Sequence, residues 1–199
     1  RLHRAAEADL FQPVGDLNGA LAAVPETLRH PDGLWFGFAS RVRIIAYSTE
    51  RVDAADLPAS YADLADPRWR GRLCVRSSGN VYNQSLLAAL TVRLGEDAAE
   101  QWASGVVANF ARAPQGGDTD QIRAIAAGEC DLALVNQYYW MRLARSDDPA
   151  DQAVAEATAL HFPADDGGVH VNISGAGLAA GAPNDENARA LLAYLLSDE

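Results

Sequence analysis

Three tyrosines carry the chemistry most open to inference: Tyr82 in Val81-Tyr82-Asn83, and the consecutive pair in Asn136-Gln137-Tyr138-Tyr139-Trp140. Oxygen donors suit hard, highly charged cations better than soft ones. A phenol has a pKa near about 10, so it becomes a ligand only to an ion strong enough to displace its proton. Ferric ion is such an ion. The competing reading makes Tyr-Tyr-Trp a hydrophobic anchor, and spacing alone leaves both open. A second group, Ser77-Ser78-Gly79, would offer hydroxyls and backbone amides at a helix N-terminus, a setting that suits a small anion. A purely structural strand-to-helix turn is the plainer account of it.

Enzyme motifs are scarce. The chain has no Gly-x-Ser-x-Gly elbow, P-loop, His-Glu-x-x-His or Cys-x-x-Cys. His3, His30, His161 and His170 are scattered without ligand spacing, and Asp165 and Asp166 before Gly167 and Gly168 read as a solvated turn. A tyrosine acid or base would need a matched His or carboxylate, and none accompanies these tyrosines.

The elements that must position the phenols form a strand-then-helix series, the pattern of an α/β sheet with crossover helices. Arg72 to Arg76 reads as a short strand and Ser77 to Asn80 as a turn. Leu86, Leu87, Leu90 and Leu94 then make a helical stripe ended by Gly95. A second helix from Glu96 places Trp102, Val106 and Phe110 in the core. Asp118 is expected to cap a third helix in a box with Gln121, and Ile122 and Ile125 face inward. The strand Asp131 to Val135 leads into the tyrosine pair. Further strands are expected near Leu160 and over His170 to Ser174, with a helix after Pro149. In an open α/β sheet ligands sit at the carboxyl ends of strands, where both tyrosine segments fall. Upstream, residues 1–33 read as irregular with a short helix over Asp16 to Val24. Leu34 to Tyr47 reads as a strand with one charged face carrying Arg41 and Arg43.

With 199 residues, 49% hydrophobic and 22% charged, the chain reads as globular, large enough for one or two domains. Its longest apolar runs fall far short of the ~20 residues of a membrane helix, so no membrane insertion is expected. All 16 basic residues are Arg, and the net charge of -11 repels phosphodiester backbones, which excludes nucleic acid as a partner. Cys74 and Cys130 lie on separate strands, and two buried free thiols are the plainer expectation for them. Arg1 is not an initiator Met, and the helix expected after the Asn184 cap has barely closed at Glu199, so a segment of a longer protein is expected.

The chain resembles the periplasmic ferric-iron-binding proteins of bacterial iron(III) ABC transporters, in their cyanobacterial iron-uptake and neisserial ferric-binding branches. The resemblance runs over nearly the whole chain. It rests on Leu34-Trp35-Phe36-Gly37-Phe38, Arg41-Val42-Arg43, Asp63-Leu64-Ala65-Asp66-Pro67-Arg68-Trp69, Val75-Arg76-Ser77-Ser78 and Tyr82-Asn83-Gln84-Ser85. Further along it rests on Asn109-Phe110-Ala111-Arg112, Pro114-Gln115-Gly116, Asn136-Gln137-Tyr138-Tyr139 and His170-Val171-Asn172-Ile173-Ser174-Gly175.

The resemblance implies an α/β, type II periplasmic solute-binding fold, with one complete lobe plus parts of the other. Residues 1–45 would be a partial first lobe ending in a hinge strand, 46–161 the second lobe, and 162–199 the return hinge and the remainder. It implies Fe(III) held in the cleft by the phenolates of Tyr82, Tyr138 and Tyr139, with carbonate or another synergistic anion at Ser77, Ser78, Gly79 and Asn136. Arg41 and Arg43 would lie near the hinge, either compensating ligand charge or forming structural salt bridges. It also implies periplasmic location and delivery to an ABC transporter permease, with no enzymatic step. An anion or small organic solute binder on the same fold, with Tyr138 and Tyr139 stacked on the ligand, is the alternative. A chain lacking a lobe section would leave its cleft open on one side. Residues 1–33 and 166–199 would then pack loosely, or pair with a second copy.

Overall fold

The computed structural model describes residues 1–164 and 167–197, and the turn expected at Asp165 and Asp166 lies outside them. In chain order the elements are α1 (Leu2–Glu7), β1 (Phe11–Gln12), β2 (Phe36–Ser48), β3 (Leu73–Cys74), α2 (Val81–Leu94), α3 (Glu96–Ala108) and α4 (Asp118–Ala126). There follow β4 (Leu132–Asn136), α5 (Gln137–Ala144), α6 (Pro149–Glu156), β5 (Thr158–His161), β6 (His170–Ala176), β7 (Leu178–Ala179) and α7 (Asp185–Tyr194). These elements fold into two compact units, residues 1–41 with 173–199, and residues 42–172. The second unit is wider than the expected 46–161 because strand pairing already begins at Arg43↔Asn136, and His170 and Asn172 bond to side chains within it.

The first unit pairs β1 with β7 and buries Val14, Leu17, Val24, Phe36, Leu178 and Leu192 together. Two short helical stretches differ from expectation: α1 precedes the predicted position, and only a 3-10 turn, Ala20–Ala23, forms within Asp16 to Val24. The described residues of the terminal segments are packed only in part: Leu178 of β7 and Leu192 of α7 join that buried cluster, while Leu10, Val171, Leu191, Tyr194 and Leu195 stay exposed. Gly175 of β6 matters here: a Cβ on it would fall 2.6 Å from the carbonyl oxygen of Phe36 in β2, so only glycine lets these two segments approach this closely.

The second unit is built on a sheet ordered β3-β4-β2-β5, with β6 also pairing β2. β3 runs parallel to β4, while β2 is antiparallel to β4 and β5. Side chains alternate across the sheet. Leu73, Leu132 and Leu134 join α2 and α3 residues Leu86, Leu90 and Val106 on one face. Cys74, Ala133 and Val135 meet Ile122, Ile125 and Leu143 on the other. Because β4 is covered on both faces, its sequence is a continuous apolar run rather than an alternating one.

Several expectations are corrected here. The strand expected over Arg72 to Arg76 shortens to β3, and in α2 only Leu86 and Leu90 are buried, while Leu87 and Leu94 face solvent on another side of the helix. Of the α3 stripe, Val106 is buried and Trp102 and Phe110 pack partly buried against the same cluster. The two cysteines form a disulfide instead of remaining free, because the parallel pairing of β3 with β4 brings Cys74 beside the turn that holds Cys130. Arg43 is 1% exposed, so β2 has no solvated charged face at that position. Asp118 is not a cap. The helix N-cap is Gly117, whose N–H donates to Asp120 Oδ2, and Asp118 turns inward.

Candidate metal centre

Each phenol occupies the first turn of a helix that follows one of the parallel strands. Asn80 has extended φ/ψ, and its side chain accepts a hydrogen bond from the Tyr82 N–H at 2.9 Å, which starts α2 and sets Tyr82 in its opening turn. β4 ends at Asn136, also extended, and α5 starts at Gln137, so Tyr138 and Tyr139 open that helix. The adjacency of β3 and β4 then brings the two helix starts together. Tyr82 Oη lies 3.2 Å from Tyr138 Oη, and the rings of Tyr138 and Tyr139 stack at 4.3 Å.

Burial, followed by hydrogen bonding to Tyr139 and Tyr82 and by their charge, pushes the Tyr138 phenol above its ordinary value. Without a cation Tyr138 therefore keeps its proton. A highly charged ion placed among the oxygens reverses the preference, since it displaces the protons and converts mutual repulsion into shared attraction. No cluster of three His, Cys, Asp or Glu suited to a metal exists among the described residues.

A cationic group surrounds Tyr82. The Arg43 guanidinium lies 5.9 Å and that of Arg76 5.3 Å from its ring centre. Arg43 Nη2 donates to Asn83 Oδ1 at 2.7 Å, and Asn83 donates to the Arg76 carbonyl. Burial lowers the Arg43 pKa and Asp118 opposes that shift. A guanidinium starts from so high a value that it stays charged. Beside the tyrosine pair, a cavity of about 540 Å³ is lined by Thr119, Arg123, Arg142, Arg145 and Asp151 together with Tyr138 and Tyr139, and Asp151 pairs with Arg123 at 2.7 Å.

The remaining expected site residues are placed unevenly. Ser77, Ser78 and Gly79 form an exposed turn before α2, not its N-terminus, and Ser77 Oγ already accepts the Gly79 N–H. Asn136 is buried beside Arg43, and its Nδ2 has no acceptor among the described residues. Arg41 belongs to the first unit, where it donates to Ser174 Oγ at 3.0 Å. Two further residues join the site without a signal in the sequence that marks them. Arg76 is one arginine among many at a strand end, and Asp118 has the local pattern of a cap.

The profile of a family described as bacterial extracellular solute-binding protein matches residues 2–199. Iron uptake protein A2 of Synechocystis sp. is 53% identical over 203 residues, taking in 100% of this chain and 58% of that protein. The Fe(3+)-binding periplasmic protein of Serratia marcescens is 29% identical, over 94% of this chain and 53% of its own length. The chain thus spans little more than half of these relatives. Among solved structures, apo FutA2 from Synechocystis superposes with a TM-score of 0.88 at 54% identity, covering 98% of this chain and 62% of the other. A Trichodesmium protein in complex with iron and citrate gives 0.89 at 49% identity, covering 98% and 61%.

Proposed function

The chain belongs to the family of bacterial extracellular solute-binding proteins and has their type II α/β fold, and from that premise we propose that it binds ferric iron through the phenolates of Tyr82, Tyr138 and Tyr139. The observation that carries this reading is the meeting of Tyr82 Oη and Tyr138 Oη at 3.2 Å with Tyr139 stacked alongside. Three phenolates neutralise the three charges of the ion, and Asp118 offsets one of the two arginines beside Tyr82. A trivalent ion of this kind takes more donors than three, and an oxygen-bearing anion or water fills the rest of the shell. Citrate accompanies iron in the Trichodesmium relative, and here the unpaired Asn136 Nδ2 and the Arg142 and Arg145 side chains of the cavity beside the tyrosines favour an anion, Arg123 being paired with Asp151 of the same lining. Ser77 to Gly79 and Arg41 play at most an outer part in this reading.

The protein is then a carrier and not an enzyme, working in the periplasm and handing iron to the permease of an ABC transporter. Titration of the chain with ferric iron tests the first step. Phenolate-to-iron charge transfer should colour the protein red. A chain that stays colourless, yet binds an organic anion in the same titration format, would refute the iron reading in favour of an organic solute.

A further inference from the structure

Asp118 lies outside every segment that carries a phenol, yet its carboxylate touches all of those segments' anchors. It is 0% exposed. Oδ2 accepts from Arg43 Nη1 at 2.6 Å and from the Asn136 backbone N–H at 2.8 Å, and Oδ1 accepts from Arg76 Nη1 at 3.3 Å. Arg43 belongs to β2, and its other terminal nitrogen holds Asn83, the neighbour of Tyr82. Arg76 leads into the turn before α2, and its guanidinium lies over the Tyr82 ring. Asn136 is the last residue before the helix that opens with Gln137, Tyr138 and Tyr139. One buried anion thus ties together β2, the segment from β3 to α2, and the junction of β4 with α5.

Charge makes the arrangement selective. Arg43 and the carboxylate are closed to water and Arg76 is partly exposed, and the carboxylate is what allows both cations to approach the same ring. Without it they repel each other. A side chain needed only to cap α4 would point to the helix's own amides, whereas Asp118 accepts from Arg43, Arg76 and the Asn136 N–H, and it is Asp120 that accepts from the Gly117 N–H. Resting on the phenolate reading above, we propose that Asp118 is the positioning residue of the site: it fixes Tyr82 relative to Tyr138 by holding Arg43, Arg76 and the Asn136 amide on one carboxylate.

The test uses Asp118→Asn, Arg76→Gln and the double variant of the whole chain. Asparagine keeps the shape and one acceptor oxygen but loses the charge that holds two arginines. Removing Arg76 from that background takes away one of the two cations left without their carboxylate and restores the parent's charge balance. Ferric affinity of Asp118→Asn should fall about 10–100-fold, the range seen when an outer partner of a metal ligand is lost, with a shift in the charge-transfer band. The double variant should recover most of the affinity, which a merely structural role for Asp118 would not produce. An unchanged band in the single variant, or a double variant no better than it, overturns the proposal. Should Asp118→Asn fail to fold, Arg76→Gln alone, at a partly exposed residue, should still shift the band, and an unshifted band overturns the proposal equally. If the parent shows no band at all, the iron reading fails by itself. The positioning role is then read in the iron-free chain from the carbon-13 signals of labelled tyrosine hydroxyl carbons. Those of Tyr82 and Tyr138 should move in Asp118→Asn, and their constancy overturns it.

Discussion

Tyr82 and Tyr138, 56 residues apart in the chain, present their hydroxyl oxygens to each other at 3.2 Å. Replacing either by Phe keeps the ring and removes only the donor. Ferric affinity should drop at least about tenfold, equal to roughly 1.4 kcal/mol, while thermal unfolding of the iron-free chain changes little. The Tyr138→Phe chain should also lose intensity in its visible band. Titration curves and spectra matching the parent would remove that tyrosine from the ligand set.

The raised Tyr138 pKa has two consequences of opposite sign along the pH scale. In the iron-free chain folding favours the neutral phenol, so its contribution to stability is complete below about pH 10 and is lost as pH rises through the folded-state value. Iron binding demands the phenolate instead, so protons compete with the metal, and affinity should decline from about pH 7 to about pH 5. Competition titrations against a chelator of known pH dependence check this. Flat affinity across that range would contradict phenolate ligation.

The disulfide between Cys74 and Cys130 closes a separation of 56 residues and joins β3 to the turn before β4, the two strands that lead to the phenols. Reduction, or Cys74→Ser, should cost about 2–4 kcal/mol of stability through the freed unfolded chain. Guanidinium unfolding with and without reductant measures this. Coincident transitions would show that the bridge adds nothing.

Asp131 forms a second charged clamp, at the base of the same strand. It accepts from Arg51 Nε and Arg72 Nε, each at 2.6 Å. Burial alone would raise its pKa, but the two arginines together outweigh that and hold the carboxyl below its ordinary value. A depressed folded value means the stabilisation is present above about pH 4 and is lost as acid carries the group through its folded-state pKa. Asp131→Asn should be less stable than the parent at neutral pH, with the difference shrinking as pH falls below about 4. A gap independent of pH would mean the clamp acts by shape and not by charge.

Much of the architecture was legible in the residues. β4 is too apolar and too short to be anything but a buried strand, and Gly95, at φ 88°, ends α2 where the leucine stripe stops. The phenols were visible as site candidates because three tyrosines at strand ends are an unusual concentration of one donor type. Neighbour relations were not legible. That Leu86 and Leu90 are buried but Leu87 is not depends on which side of α2 meets the sheet, and propensity is silent on this. The pairing of Cys74 with Cys130 required the parallel register of β3 and β4, a contact between segments distant in the chain. Asp118 is the clearest case. Locally it has every mark of a helix cap, but the desolvated Arg43 of β2, joined by the partly exposed Arg76 after β3, demands a carboxylate more strongly than the helix amides do, and only the folded sheet brings that demand to its side. Local chemistry therefore determined which side chains could hold a hard cation, whereas the tertiary structure decided which of them meet, because convergence depends on strand order and register, and these are set by packing over long range.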